Sequence, residues 1–385
     1  MGACLKIISP FLYYYNTIQL PLSKWCFPRI YIIFGGGTIQ YMDTGKLCKK
    51  IAKETSYFSG KHLLLPDFLS LIITFRCNFR CKMCEIWKTQ RHEELEISAW
   101  QRIVEDIAGY FPKETFIEIN GGEPLLRKDL TLFLISELKS AGYGTTLNTN
   151  GSLIGEDVAL ELAQAGLDCA KISLYDLDDD IHDGVRGFPG AAKKAKRAIS
   201  LLQDSAIRTE VGILVTARNI KNVRSFVEKY LREKNTVSLI LQPLDEPINT
   251  GQKEISEENS ISASLWPKKE DVLDLFSWLN REKPANIKNS PANLSAIEKY
   301  YLDPESALKR RCFAGQHSCV ISPKGEMSLC FKRKSVGNVQ GSGIAKLLGS
   351  KESSSERCSI RKCKKYCRMM GCNFSRTLPE ILGLQ

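Results

Sequence analysis

Three cysteines lie close together in the first quarter of the chain, in the segment FRCNFRCKMCEIW. Their spacing is Cys77-x3-Cys81-x2-Cys84, directly after the apolar run LSLIITFR, which predicts a strand over 69–76. A structural zinc site takes four protein ligands, usually as two pairs. Three thiolates on the loop after a strand instead suit an iron–sulfur cluster with one iron left open, which can bind a substrate or cofactor.

The other cysteines separate into scattered residues and a second group near the C-terminus. Of the 14 cysteines, seven fall within 312–372. A disulfide framework is typical of short secreted chains, and the N-terminal segment shows no clear signal-peptide cleavage site. We therefore expect a cytoplasmic protein whose grouped thiols bind metal. We expect the scattered cysteines to be small buried hydrophobic residues; these are Cys4, Cys26, Cys48 and Cys169.

Short β-branched runs alternate with amphipathic helical stretches through the middle of the chain. Helices are predicted over 130–142, 156–166 and 191–203. Strands separated by helices predict a parallel sheet with helical crossovers. Eight strands would suggest a closed barrel, whereas six suggest an open, partial one. The six predicted strands are 69–76, 115–120, 144–150, 168–174, 208–216 and 238–244.

Composition excludes wholesale disorder, because 43% of the residues are hydrophobic and 25% are charged. No apolar stretch approaches the length of a membrane-spanning helix. Residues 1–65 are apolar and aromatic, which predicts an extension packed on the barrel or lying at a membrane surface. We expect the main α/β domain over 66–245 and a linker or substrate-facing region over 246–305, with one helix near 271–279. A small cysteine-rich α+β domain is expected over 306–385.

A second motif completes a resemblance to a known family. Asn120-Gly121-Gly122-Glu123-Pro124 ends the second predicted strand. Together with the three cysteines, this motif resembles the radical SAM superfamily, whose signature is Cys-x3-Cys-x2-Cys after the first strand of a partial (β/α)6 barrel. The resemblance covers about residues 66–245 and implies that fold here.

The resemblance also implies contacts with S-adenosylmethionine. In related enzymes the glycines let the backbone approach the cofactor, the acid and sheet edge meet its amine, and the third strand end contacts its ribose. A Ser and an Arg placed like Ser173 and Arg186 bind its carboxylate, and Met83 stands where an aromatic residue usually covers the adenine. The cofactor-binding residues implied are Met83, Gly121, Gly122, Glu123, Pro124, Asn148, Asn150, Ser173 and Arg186.

The activity implied is radical chemistry. Cys77, Cys81 and Cys84 would hold a catalytic [4Fe–4S] cluster that, once reduced, cleaves S-adenosylmethionine to a 5′-deoxyadenosyl radical. That radical takes a hydrogen atom from the substrate. Such chemistry requires a low-potential electron donor such as flavodoxin or ferredoxin.

The C-terminal cysteines resemble a second module. SCVISP, Lys324-Gly325 and EMSLC predict a hairpin. Its Cys…Gly-x4-Cys pattern resembles the SPASM/twitch extension of radical SAM enzymes, whose cysteines hold auxiliary [4Fe–4S] clusters. Seven thiols are too few for two four-cysteine clusters, so we predict one. Its predicted ligands are Cys312, Cys330, Cys363 and Cys367. The alternative is a zinc site formed by Cys358, Cys363, Cys367 and Cys372.

The substrate is the least defined feature. Relatives with this architecture commonly modify peptides or proteins, so a peptide or protein substrate is expected. A small molecule such as a carbohydrate, nucleotide or lipid is the alternative. The net charge is +11, and 357–376 carries seven Lys or Arg and no acid. This run could bind nucleic acid in a non-catalytic zinc protein, balance the charge of a cluster, or bind an acidic peptide. Without a nucleic-acid-binding fold, nucleic acid is disfavoured.

Overall fold

The structure is a computed structural model. It describes residues 30–33, 39–42, 44–59, 64–89, 93–232, 237–245, 263–371 and 374–375. Predictions for residues 1–29, for 246–262 and for Cys372 lie outside these ranges. At the N-terminal end, strands β1 (Ile30–Ile33) and β2 (Ile39–Met42) pair antiparallel, and helix α1 (Thr44–Ser59) follows them.

Six parallel strands in chain order make up one end of a nine-stranded sheet. They are β3 (Phe68–Thr74), β4 (Phe116–Gly121), β5 (Thr145–Thr149), β6 (Cys169–Ser173), β7 (Arg208–Leu214) and β8 (Ser238–Gln242). Each lies within two residues of the strand that the sequence predicts. Over the residues that the structure describes, the sheet ends at β8 without closing. The prediction of an open, partial barrel is confirmed.

Helices connect these strands and cover one face of the sheet. They are α2 (Ile97–Tyr110), α3 (Lys128–Ser140), α4 (Glu156–Gln164), α5 (Asp179–Arg186), α6 (Ala191–Asp204) and α7 (Val223–Arg232). Side chains alternate between the two faces of a strand, so Leu69, Ile117 and Leu147 enter the main hydrophobic core beneath the helices. The opposite, inner face carries Asn120, Asn148 and Lys171 half-exposed.

The region after β8 corrects the predicted linker. Helices α8 (Lys269–Glu282) and α9 (Pro291–Leu302) pack on each other, where the sequence predicts a single helix. Phe276 and Ile297 are fully buried in the same core as the sheet. The second helix was missed because Pro291 and Asn293 resemble loop residues. Pro291 instead occupies the first helical turn after Ser290, whose side chain caps the helix.

The cysteine-rich end of the chain joins the barrel sheet directly. Strand β9 (Ser318–Ile321) pairs parallel with β3 and antiparallel with β10 (Glu326–Ser328), which pairs with β11 (Gly337–Asn338). The sequence predicts the β9–β10 hairpin, but not its addition to the outer edge of β3. The remaining helices of this region are α10 (Ala314–His317), α11 (Val339–Ser342), α12 (Ile344–Leu348) and α13 (Lys351–Arg361).

Helix α1 packs on the C-terminal region, and its Lys53 also forms a salt bridge with Asp67, directly before β3. The Tyr57 ring lies 5.3 Å from that of Phe313, and the Tyr57 carbonyl accepts a hydrogen bond from Arg361. Arg311 also forms a salt bridge with Glu54. In the described part of the chain, no helix combines the length and apolar character needed to cross a membrane. The domain boundaries at 65, 245 and 305 stay predictions.

Candidate active site

The three cysteines of the first motif come together on the loop after β3. Cys81 is buried, and Cys77 and Cys84 are half-buried. All three belong to one packed cluster of side chains. The other members of that cluster are Phe79, Met83, Phe188 and Ala191. Met83 therefore lies beside the thiols, as its predicted role near the cofactor requires.

The electrostatics of this loop suit a cationic metal core. Burial raises the pKa of Cys77, and it raises the pKa of Cys84 to about 11. The neighbouring thiolates raise both values further, because like charges repel. Within the described ranges, no three Cys, His, Asp or Glu side chains are arranged to hold a single metal ion. Three soft thiolates on one loop fit a [4Fe–4S] cluster that leaves one iron for another ligand.

The two motif glycines allow β4 to lie against the cysteine loop. Gly122 donates its N–H to the Thr74 carbonyl at 2.9 Å. A Cβ at Gly121 would lie 2.3 Å from the Thr74 oxygen, and one at Gly122 would lie 2.1 Å from the Arg76 oxygen. The chain's own backbone therefore requires glycine at both positions. Approach of the cofactor to this backbone stays a prediction.

Glu123 is a fully buried acid that ties two strand ends together. Its carboxylate accepts hydrogen bonds from the Leu125 N–H, the Thr149 hydroxyl and the Asn150 N–H. Burial raises its pKa, and these donors act in the opposite direction. The next residue, Pro124, is buried at the start of a short 3₁₀ turn, Pro124–Arg127. Glu123 thus positions the loops after β4 and β5, and its contact with S-adenosylmethionine stays a prediction.

Arg186 presents a buried cation beside the cysteines. It is the last residue of α5, which begins at an Asp178 cap and ends before Gly187 in the left-handed conformation. A Cβ at Gly187 would lie 2.2 Å from the Arg80 carbonyl oxygen, so the helix end is held against the cysteine loop. Arg186 donates from Nη1 to the Tyr175 hydroxyl at 2.9 Å. Its Nε is buried with no hydrogen-bond partner.

Unpaired polar atoms at the site fit a polar ligand. The Asn148 Oδ1 atom on β5 is buried without a partner, like the Arg186 Nε. Buried polar groups are normally paired, so unpaired ones call for a ligand or water. A free guanidinium N–H suits a carboxylate, and a free amide oxygen suits a hydroxyl or amine donor. These residues therefore fit the carboxylate, amine and ribose hydroxyls of S-adenosylmethionine.

The remaining predicted residues lie at the same edge of the sheet. Asn150 donates from Nδ2 to the Asn78 side chain at 2.9 Å, which links β5 to the cysteine loop. Ser173 is half-buried at the end of β6, two residues before Tyr175. Sequence reasoning missed Tyr175 and Asn78. The available signals were the position of Tyr175 two residues after Ser173 and that of Asn78 directly after Cys77.

A second group of thiols converges in the C-terminal region. The four cysteines predicted as auxiliary ligands line one small cavity. They are Cys312, Cys330, Cys363 and Cys367. Burial raises the pKa of Cys330 to about 12, and Cys312 and Cys363 add to the rise. Four thiols around one cavity fit a fully ligated [4Fe–4S] cluster. Their role as ligands stays a prediction.

The other tail cysteines lie elsewhere or outside the description. Cys319 is fully buried in β9 within the main core. Cys358 lies on α13, and its sulfur accepts a hydrogen bond from Arg361 at 3.1 Å. Cys372 lies outside the described residues, so the alternative zinc site is described only in part. Neither Cys319 nor Cys358 is among the residues lining the cavity.

Much of the basic run 357–376 is used inside the protein. Arg357 is buried and donates to the Gly315 and Leu348 carbonyls. Arg368 is buried, lines the thiol cavity and donates to the Leu308 carbonyl at 2.8 Å. Lys365 also lines that cavity. These contacts favour the structural and charge-balancing interpretation of the run over a nucleic-acid surface.

Two family models match the parts of the chain that carry the two thiol groups. Residues 71–229 match the radical SAM superfamily, and residues 312–373 match the SPASM iron–sulfur cluster-binding domain. The chain belongs to the radical SAM superfamily and carries a C-terminal SPASM domain. It is a radical SAM enzyme. Its cofactors are S-adenosylmethionine and a [4Fe–4S] cluster, together with auxiliary iron–sulfur clusters in the SPASM domain.

Curated relatives and solved structures show what the chain resembles in detail. The Fe-coproporphyrin III synthase of Methanosarcina barkeri is 25% identical over 71% of this chain and 66% of its own length. Mycofactocin maturase MftC of Mycobacterium tuberculosis is 24% identical over 69% of this chain and 64% of its own length. SuiB of Streptococcus suis, solved with its precursor peptide SuiA, superposes with a TM-score of 0.61 at 14% identity. That match covers 86% of this chain and 74% of SuiB, and it shows a shared fold.

Proposed function

We propose that this protein modifies a peptide or protein by radical chemistry at the open end of its partial barrel. The observation that carries the proposal is the convergence of three cysteines, the unpaired Arg186 Nε and the unpaired Asn148 Oδ1 at one sheet edge. S-adenosylmethionine held at the reduced cluster would supply a 5′-deoxyadenosyl radical for removal of a hydrogen atom from the substrate.

The chain's own residues supply ligation, position and charge. Cys77, Cys81 and Cys84 would ligate the catalytic cluster. Arg186 would bind the methionyl carboxylate, since its guanidinium is held by Tyr175 with one N–H still free. Glu123 keeps the strand ends in place through its three hydrogen bonds and needs no contact with the reacting atoms.

The inner face of the sheet supports a peptide-like substrate. Its half-exposed residues include Asn120, Asn148, Lys171, Ser173 and Gln242. All five can hydrogen-bond, and peptide groups offer a donor and an acceptor at each residue. The similarity to MftC and to SuiB, which was solved with a precursor peptide, points to the same class of substrate.

A small molecule is the second candidate. The observation that favours it is the similarity to proteins named Fe-coproporphyrin III synthase and AdoMet-dependent heme synthase. A flat tetrapyrrole would need apolar surface to stack on, and among the half-exposed inner-face residues of β5 to β8, Ile240 is aliphatic and the others are polar. We therefore place the peptide first.

The test is formation of 5′-deoxyadenosine by protein purified and reconstituted without oxygen. With S-adenosylmethionine and a strong reductant, the wild type is expected to form it, and Cys81→Ala is not. Cys358→Ala is the matched control, because this thiol lines neither site. Absence of product from fully iron-loaded wild type would contradict the proposal.

Substrate class is tested with the same protein. Short peptides encoded beside its gene are expected to increase 5′-deoxyadenosine formation and to change in mass. Iron-coproporphyrin III, titrated against the protein, is expected to leave its Soret band unchanged. A saturable Soret shift, with no peptide changed in mass, would favour the small-molecule candidate.

A low-potential electron donor is part of the proposal. Arg80 and Lys82 are exposed on the cysteine loop, next to the buried thiols. The Arg80 guanidinium lies over the ring of Trp87, whose indole N–H bonds the Cys81 carbonyl. Exposed cations attract an acidic partner such as a flavodoxin or ferredoxin, and this surface adjoins the cluster that must be reduced.

A further inference from the structure

Lys332 is a buried cation on the wall of the C-terminal thiol cavity. It is 8% exposed, lines the cavity with the four cysteines, and lies two residues after Cys330. Its backbone N–H also points at the Cys330 sulfur, 3.4 Å away. Burying a lysine charge is costly unless it is paired, so its presence here calls for an explanation.

The partner of Lys332 comes from the barrel. The Lys332 Nζ atom lies 3.1 Å from Oδ2 of Asp245, which follows the last barrel strand, β8. The segment before Asp245 is fixed by two tyrosines of α9. Leu244 donates its N–H to the Tyr301 hydroxyl and accepts a hydrogen bond from the Tyr300 hydroxyl. Asp245 is therefore held in place and is not a mobile surface acid.

Lys332 and Asp245 bring opposite charges to the thiols. Lys332 lines the cavity, whereas Asp245 is not among the lining residues. Burial raises the pKa of Cys367, the Asp245 carboxylate raises it further, and the Lys332 ammonium lowers it. A four-thiolate cluster is negatively charged and gains one more negative charge on taking up an electron, so a nearby buried cation favours the reduced form. Three other cations line the cavity. Arg333 is paired with Glu356, Arg368 donates to the Leu308 carbonyl, and the third is Lys365.

We propose that Lys332, held by Asp245, sets the reduction potential of the C-terminal cluster. The pair is a positioning and tuning device in which the barrel supplies the acid and the SPASM domain supplies the cation. It ties the electron affinity of the auxiliary cluster to Asp245, three residues after Gln242, which is the half-exposed last residue of β8. The proposal rests on the ligand set Cys312, Cys330, Cys363 and Cys367, and not on the class of substrate.

The test is a redox titration of the full-length chain, followed by electron paramagnetic resonance. Cys77, Cys81 and Cys84 are all changed to Ala, so that the C-terminal cluster alone titrates. Lys332→Met is expected to lower the reduced-to-oxidised ratio at the parent's midpoint at least tenfold, which is about 59 mV for one electron. Asp245→Asn is expected to shift the midpoint the opposite way, because it removes a negative charge that acts on the thiols and keeps the Lys332 charge.

Two controls separate tuning from structural damage. Lys332→Arg keeps the charge and is expected to keep the midpoint. Lys324→Met removes another paired lysine, which lies in the β9–β10 turn, is bonded to Glu93 and does not line the cavity, and it is expected to change nothing. Equal midpoints for Lys332→Met and its parent, or shifts of the same sign for Lys332→Met and Asp245→Asn, would overturn the proposal.

Iron per chain is measured for every variant. If Lys332→Met loses its iron, the midpoint of Asp245→Asn decides: a rise supports the proposal and an unchanged value refutes it. If the parent with the three alanines holds no iron, the ligand set itself is wrong and the proposal fails with it. That result would leave the proposed radical activity at the first cluster standing.

Discussion

Arg186 offers the sharpest test of how the protein holds S-adenosylmethionine. Arg186→Gln removes the guanidinium and keeps much of the side chain's length. In the structure the group is 8% exposed, donates once to Tyr175 and leaves its Nε unpaired. If that free N–H meets the cofactor's carboxylate, the variant loses a charge-assisted hydrogen bond in a buried site.

The magnitude follows from the value of such a bond. A hydrogen bond to a charged group contributes about 1.5–3 kcal/mol. Since 1.4 kcal/mol is a factor of ten in affinity, binding should weaken roughly 10- to 150-fold. Tyr175→Phe leaves the cation in place and removes one neutral partner, about 1 kcal/mol, so it should weaken binding roughly fivefold.

The assay is equilibrium binding of S-adenosylmethionine to the oxidised, reconstituted protein, with iron per chain measured beside it. Arg197→Gln is the matched control, because this arginine is exposed on the neighbouring helix α6 and contacts Glu156 at 3.4 Å. Affinity of Arg186→Gln within threefold of wild type, at full iron content, would refute the reasoning.

Three further outcomes are expected. Gly122→Ala would place a Cβ 2.1 Å from a carbonyl oxygen of the cysteine loop and should lose iron from the first cluster, whereas Gly109→Ala, with nothing within 4 Å, should keep it. Changing Arg80 and Lys82 to Gln should slow reduction by flavodoxin several-fold at low salt and abolish most of its salt dependence, with reduction by dithionite unchanged. Burial lowers the pKa of His182 to about 3. As the pH falls through about 6.5, this imidazole therefore binds a proton in the unfolded chain and stays neutral in the folded one. The free energy of unfolding should therefore fall by about 2 kcal/mol between pH 7 and pH 5, and His182→Gln should remove this part of the loss in urea titrations at both pH values.

Local pattern was enough to predict the parallel core. Each strand from β3 to β8 is a short β-branched run bounded by turn residues, and the helices between them have clear apolar stripes. In α6, for example, Ala192, Ala195, Ile199 and Leu202 are all buried. The two groups of cysteines could also be recognised from the sequence, because their spacing along the chain is visible without any knowledge of tertiary contacts.

Contacts between distant segments could not be read in the same way. The sequence SCVISP predicts a strand, but it does not indicate that this strand, β9, pairs with β3. The residues near Lys332 likewise do not indicate its contact with Asp245. Nothing in the sequence near Tyr175 indicates that α5 brings Arg186 beside it. The charge balance at both sites depends on such contacts between distant residues, and spacing along the sequence does not predict them.

The pairing of β9 with β3 has a consequence for synthesis of the chain. Phe68 pairs with Ser318, so the outer edge of β3 waits for a strand made 250 residues later. At about 5–20 residues per second, ribosomes need roughly 10–50 s to cover that distance. During this interval an apolar strand carries an unpaired row of backbone groups, the kind of edge that recruits other chains into aggregates. Truncation before residue 318 would make that exposure permanent. A shortened chain should therefore collect in inclusion bodies, although it keeps Cys77, Cys81 and Cys84.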